Sequence, residues 1–253
     1  MTQQLLIPLL ITGTGAAMLL YGLFKRSQAL SFRSTPCTPV RSLAKEERQF
    51  ITGVAHSPVP ITAPVSKKAC VFYLEKVERN EASTSSRGRS RTRWTEVSST
   101  AYGAFFVKDG SGSALVLPSA RSLDLNKPEV TESDEVLPGM ALEGAVRKAE
   151  QYIAEGENVT VLGTPRTLPE LMNYVRQDGQ VTLPSDLIAE LLKLEKENAV
   201  LPCFFAYGAE KVSDLSYTDY LAGTESSAAM LLQLGAILAV VGGAALLYAL
   251  RVF

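Results

Sequence analysis

The chain has one histidine, His56, and three cysteines, Cys37, Cys70 and Cys203, among 253 residues. Those counts remove most metal and triad chemistry before any fold is considered. Three widely separated cysteines with no C-x-x-C pair are neither a disulfide framework nor a zinc or redox motif. His56 follows a strand-like run and precedes Pro58, with no acid or base beside it in sequence. It reads as a surface or hydrogen-bonded structural histidine. Cys70 stands mid-run beside Val71, Phe72 and Tyr73. A nucleophilic thiol needs an exposed, electropositive setting, so Cys70 reads as a small buried side chain. Gly110-Ser-Gly112 is followed by a strand-like segment, whereas phosphate cradles open onto a helix N-terminus. Glu132, Asp134 and Glu135 form an acidic loop, for which solvation is the default over cation binding. We assign no catalytic residue, no metal ligand and no cofactor.

One charge cluster stands out. Arg87, Arg89, Arg91 and Arg93 lie within Asn80–Arg93, with Arg79 just before. Such a cluster can contact anionic lipid headgroups or an acidic partner. Its Ser and Gly content equally suits a solvated hairpin tip. The net charge of −1 argues against a dedicated nucleic-acid binder, which carries a clear basic excess.

The elements that must position these groups begin with two uncharged runs. Residues 5–24 (LLIPLLITGTGAAMLLYGLF) and 228–250 (AAMLLQLGAILAVVGGAALLYAL) contain no Asp, Glu, Lys or Arg. A 20-residue helix spans about 30 Å, the thickness of a bilayer's hydrocarbon core. We expect two transmembrane helices. The first reads as a retained anchor rather than a signal peptide. No Lys or Arg precedes it, and it ends in Tyr21, Phe24, Lys25 and Arg26 instead of a small-residue cleavage site. Small residues at helical spacing, Gly13 with Ala17 and Gly235, Ala239 with Gly243, are candidates for close helix packing within the chain or between copies.

Lys25, Arg26 and Arg33 follow the first run. The positive-inside rule therefore places the central domain on the cytoplasmic side and both termini opposite. Residues 25–48 read as a basic tether and 49–225 as one domain. Within it, Gln49–Ala55, Ala69–Arg79, Trp94–Val97, Ala104–Lys108, Ala114–Leu117, Glu157–Gly163 and Cys203–Ala206 read as strands or strand starts. A short helix is expected within 140–153, ending at Tyr152. A second should open at Pro184 with Ser185 as N-cap and run to about Asn198. The fold class is α+β: two transmembrane helices flanking a β-rich soluble domain with one or two helices.

The order of several segments resembles the GIDE, or "beside a membrane", domain. They are Gly53-Val54, Pro60-Ile-Thr-Ala-Pro64, Ala69-Cys-Val-Phe-Tyr73 and Trp94, then Ala104 to Pro118 and Glu150 to Gly163. The resemblance covers residues 49–225 and the flanking spans. In eukaryotes it implies organelle-membrane ubiquitin ligases whose catalytic RING finger follows the second span. A RING needs about eight Cys and His ligands, and this chain has four such residues in all. The resemblance therefore implies a prokaryotic-type, E3 ligase-like relative without ligase activity. Its eukaryotic members place the domain in an intermembrane space, opposite to the charge-based orientation.

Three functions follow as expectations. The first is a membrane-anchored scaffold that recruits a protein partner or forms a homo-oligomer, with the bilayer as integral partner and no nucleic acid. The second is a lipid or small-ligand sensor. The third is an enzyme whose site carries no recognisable signature.

Overall fold

The computed structural model describes residues 2–84, 90–133, 144–177, 183–197 and 199–251. The chain divides into two compact units, one made of residues 1–36 and 217–253 and the other of residues 37–216.

The first unit is a helical hairpin. Helix α1 covers Thr2–Ser34 and helix α4 covers Tyr217–Arg251. Both are long and apolar enough to cross a membrane. At 1.5 Å per residue, the 33 residues of α1 reach about 50 Å. The seam between the helices repeats every seven residues. Pro8, Gly15, Gly22 and Ala29 are buried on α1, and Ala228, Gly235 and Gly242 on α4. A seven-residue repeat keeps one seam facing its partner, and small residues on it let backbones approach. A Cβ at Gly15 would lie 2.5 Å from the Ala239 nitrogen, and one at Gly242 2.6 Å from the Thr12 nitrogen. Gly22 meets Leu232, and Gly235 meets Leu19. This antiparallel register brings Phe24 level with Met230, so the two uncharged runs coincide in height. Gly13 and Ala17 are exposed, and a Cβ at Gly13 or Gly243 would meet nothing within 4 Å. Of the small residues singled out in the sequence, Gly235 and Ala239 are therefore on the intramolecular seam. Gly13, Ala17 and Gly243 are not. Residues two apart point about 200° apart on a helix, so Gly13 and Gly15 lie on opposite sides.

The expected tether is only partly a tether. Residues 25–34 continue α1. There Phe32 packs on Tyr220, ring centroids 6.0 Å apart, and Arg33 lies 3.7 Å from Glu225. The remainder, from Cys37 on, belongs to the second unit: Thr38 N–H donates to Phe50 O, and Val40 is buried in a 3₁₀ turn over Val40–Ser42.

The second unit is β-rich. Its strands are β1 (Gln49–His56), β2 (Ile61–Thr62), β3 (Ala69–Cys70), β4 (Phe72–Thr84), β5 (Ser90–Gly103), β6 (Phe105–Lys108), β7 (Ser113–Leu117), β8 (Val130–Ser133), β9 (Val146–Ile153), β10 (Asn158–Gly163), β11 (Cys203–Phe205) and β12 (Ala209–Ser213). Six form a sheet in the order β11-β7-β6-β1-β10-β12. Beyond Gly163 the chain leaves β10 and exchanges two backbone hydrogen bonds between Arg166 and Cys203, so the sheet curls back onto β11. The crossing is tight: a Cβ on Gly163 would sit 1.7 Å from Gly208 O, which only glycine allows.

A second sheet, β5-β4-β9-β8, is antiparallel throughout. The expected strand from Ala69 to Arg79 is real but breaks at Val71, switching from β2 to the larger sheet. The expected helix ending at Tyr152 is a correction: Val146–Ile153 is β9, paired with β4 from Phe72↔Ile153 to Arg79↔Val146. Ala, Lys, Glu and Gln favour a helix locally, but β4 supplies a ladder, and tertiary pairing overrides propensity. Helix α2 (Leu168–Gln177) was not expected; α3 (Ser185–Lys196) was, although its N-cap is Pro184 rather than Ser185.

Phe50, Phe72, Phe105 and Phe204 are 0% exposed and anchor the interior. Burying a Phe contributes roughly 1.5–3 kcal/mol. One apolar cluster lies among β1, β4, β6, β7 and β10; a second packs α2 and α3 onto β7 and β11.

Candidate functional site

The candidate site is a cleft of about 390 Å³ in the β-rich unit. Three segments distant in sequence build it: residues 40–46, 165–170 and 199–202.

The first wall is held by Asp109. Its Oδ2 accepts the Val40 N–H at 2.7 Å. Its Oδ1 accepts from Ser111 N–H, Ser111 Oγ–H and Gly112 N–H at 2.8, 2.7 and 3.0 Å. The Gln49 side chain returns to Ala44, accepting its N–H and donating to its carbonyl. The second wall opens α2. Thr167-Leu-Pro-Glu170 has the sequence of a capping box and forms its Glu half: Glu170 Oε2 accepts the Thr167 N–H at 2.9 Å, and Leu171 N–H donates to Thr167 O in the first helical turn. That motif is the signal from which α2 was legible. The third wall is anchored where Leu115 N–H donates to Pro202 O, at 2.9 Å.

The floor is apolar: Val40 and Leu168 are buried, with Leu43 and Leu201 half-buried. Val200 projects from the rim, 96% exposed. Arg41, Lys45 and Arg166 are exposed and stand around the opening with Glu46 and Glu170. Among the described residues, none of the three cations has a carboxylate within 4 Å. A mostly apolar cavity of this size with a few placed charges is the usual form of a ligand or side-chain pocket. It presents anchoring surface and cationic groups; among the described residues it lines up no nucleophile with a base.

The residues singled out in the sequence are scattered. His56 does have an acidic partner: its Nδ1 contacts Glu155 Oε1, and Glu155 Oε2 accepts the Ser57 N–H at 2.9 Å. The Ser57 hydroxyl donates to Val59 O, so the group ties β1 to the turn after β9. The partner lies 99 residues away, which is why the sequence hid it. Cys70 and Cys203 are 0% exposed. Burial, reinforced by Glu150 for Cys70 and by Glu170 for Cys203, pushes both thiols up to about 12. Cys37 is exposed, and partial desolvation together with Asp109 raises its thiol also.

Arg87 and Arg89 lie outside the described residues. Arg91 is on β5, and Arg93 is exposed on the same strand. Glu132 is exposed on β8; Asp134 and Glu135 lie outside the described residues. No group of three or more potential metal ligands occurs among the described residues.

Sequence reasoning missed one buried charge and one charge pairing. Glu150 on β9 is fully buried, and its carboxylate accepts from Val65 N–H, Ser66 N–H and Ser66 Oγ–H, fixing the loop between β2 and β3. Arg147 binds Glu78 through Nε at 2.7 Å and lies 4.7 Å over the Trp94 ring. In comparisons with known proteins, no family model, curated protein or solved structure matches the chain.

Proposed function

We propose that the chain is a two-pass membrane anchor whose β-rich unit is a binding module, recruiting a protein partner or a second copy. The observation that carries this reading is the helical hairpin. Two uncharged runs coincide in height on a small-residue seam, and both helices continue beyond them into polar sequence. A module fixed at both ends is confined near the bilayer, which raises its effective concentration for neighbours in the same membrane. Lys25, Arg26 and Arg33 beside the first run favour a cytoplasmic module. The GIDE-like likeness is part of the same proposal. Its motifs fall on β1, the β3–β4 run, the β6–β7 hairpin and β9–β10.

The test is alkaline carbonate extraction of cell membranes, followed by in-cell crosslinking of the full chain. Retention in the membrane pellet with a discrete crosslinked species supports the proposal. Release into the supernatant, or a monomer with no crosslinked neighbour, counts against it.

A second reading rests on the cleft. Its 390 Å³ and apolar floor suit a small amphipathic anion. Thermal-shift screening of carboxylate and phosphate amphiphiles tests it, with Ala199→Trp to fill the cavity. A shift in the wild type that the variant lacks supports ligand binding; no shift with any compound counts against it.

A further inference from the structure

The hairpin carries a second cavity, separate from the cleft. It is a groove of about 270 Å³ between α1 and α4, lined by Arg26, Ala29, Leu30 and Arg33 on one helix and Glu225, Ala228, Ala229 and Leu232 on the other. It exists because three facing positions, Ala29, Ala228 and Ala229, are alanines. Arg26 and Arg33 are seven residues apart, two helical turns, and so share one side of α1. Glu225 lies 3.7 Å from Arg33. Among the described residues no carboxylate lies within 4 Å of Arg26, which is exposed.

The groove's height matters. Arg26 is the second residue past the uncharged run of α1, and Ala228 opens the uncharged run of α4. Tyr21 and Phe24, both exposed, stand just below, and Lys25 Nζ lies 5.8 Å from the centre of the Tyr21 ring. Aromatic rings beside cations at the end of an apolar run mark the headgroup level of a bilayer. The groove thus joins polar and apolar lining, with Arg26 and Arg33 set against one Glu225, and Leu30 and Leu232 beside them.

We propose that this groove seats the headgroup of an anionic phospholipid. The Arg26 guanidinium donates to two phosphate oxygens, the fork geometry that arginine offers phosphate. Arg33, held by Glu225, borders the same site. The acyl chains run down past Leu232 along the exposed apolar sides of the helices. A free phosphate would satisfy Arg26 but leave Leu30 and Leu232 uncovered, so a ligand with both parts fits better. A zwitterionic lipid would bring its own ammonium toward the arginines, so an anionic one is preferred. The inference rests on the membrane-spanning reading above.

The experiment uses the full chain in phosphatidylcholine nanodiscs, with or without phosphatidylglycerol, released into detergent and weighed by native mass spectrometry. Wild type should retain phosphatidylglycerol preferentially, and Arg26→Gln should lower that retention at least several-fold. Ala229→Leu, which narrows the groove without touching charge, should lower it as well. Arg121→Gln, exposed in the other unit, should not. Equal retention of the two lipids, retention unchanged in both groove variants, or full competition by inorganic phosphate overturns the proposal. Carbonate extraction of the same variants separates the two readings. Protein washed from membranes sinks the anchor itself; protein that stays but shows no lipid preference sinks only the headgroup site.

Discussion

Asp109 Oδ2 accepts the backbone N–H of Val40 at 2.7 Å, so a hairpin turn of the domain holds the segment that enters it. Burial alone would raise this carboxyl, but hydrogen bonds from Ser111, Val40 and Gly112 outweigh it and hold it below the ordinary carboxylate value. A lowered carboxyl stabilises the fold fully above its unfolded pKa of about 3.9, and that contribution is lost as pH falls through the folded value. Asp109→Ala should cost about 1–3 kcal/mol, the range for orphaned partly buried donors. Asp109→Asn should cost less and should flatten the pH dependence between pH 5 and 3. Urea unfolding of the full chain in detergent at the two pH values checks both. Unchanged pH dependence in the Asn variant would remove Asp109 as its source.

The hairpin seam makes a positional prediction. Gly15→Leu forces a side chain against the α4 backbone, where a Cβ alone would already sit 2.5 Å from Ala239 N. Overpacking of this kind costs about 1–3 kcal/mol. Gly13→Leu, two residues earlier, meets open space and should leave the melting temperature in detergent unchanged. Equal effects at the two positions would mean that the helices do not meet along this seam.

How much of this was readable in advance depended on range. β1, β6, β7 and β10 were legible because each is a short apolar, β-branched run bounded by turn residues, and Asp109-Gly-Ser-Gly112 announced its hairpin. Both long helices were legible from uninterrupted apolar sequence. β9 was not, because Ala149, Glu150 and Gln151 have helical preferences and become a strand only against β4. The burial of Glu150 was not legible, since nothing local reveals that Val65 and Ser66 will enclose it. Gly13 and Ala17, visible by four-residue spacing as candidates for packing within the chain or between copies, lie off the intramolecular seam, whose seven-residue repeat emerges only from the facing helix. The cleft as a whole had no local signal: its walls are drawn from three segments, the first more than a hundred residues before the other two.

The cysteines should separate cleanly by reactivity. With thiols pushed up to about 12, Cys70 and Cys203 hold about one thiolate in ten thousand at pH 8 and are closed to reagents. Native protein should therefore titrate one thiol, Cys37, and denatured protein three. Asp109 helps to raise the Cys37 thiol, so Asp109→Asn should speed Cys37 alkylation at pH 8. Labelling with mass detection reads both. A second thiol reacting at the native rate would show that a buried strand opens.

Trp94 is the only tryptophan, and Arg147 covers its ring at 4.7 Å while binding Glu78 through its Nε and Nη2 N–H edge. Glu78 lies directly across the sheet from Glu96, and like charges in that position repel. Arg147 thus compensates one carboxylate and shields the indole at once. Both partners of the ion pair are partly exposed, which limits it to about 0.2–1 kcal/mol, and an exposed cation–π contact adds a similar amount, about 0.5–1 kcal/mol. Arg147→Ala should destabilise the full chain by about 1–2 kcal/mol and shift Trp94 emission to the red. Arg147→Met keeps a chain over the ring without the charge, so it should restore most of the emission but not the stability. Glu78→Gln removes the ion pair and leaves the stacking, and should also keep near-native emission, with a smaller loss of stability than Arg147→Ala. If Arg147→Ala leaves emission unchanged, the guanidinium does not cover the indole in solution.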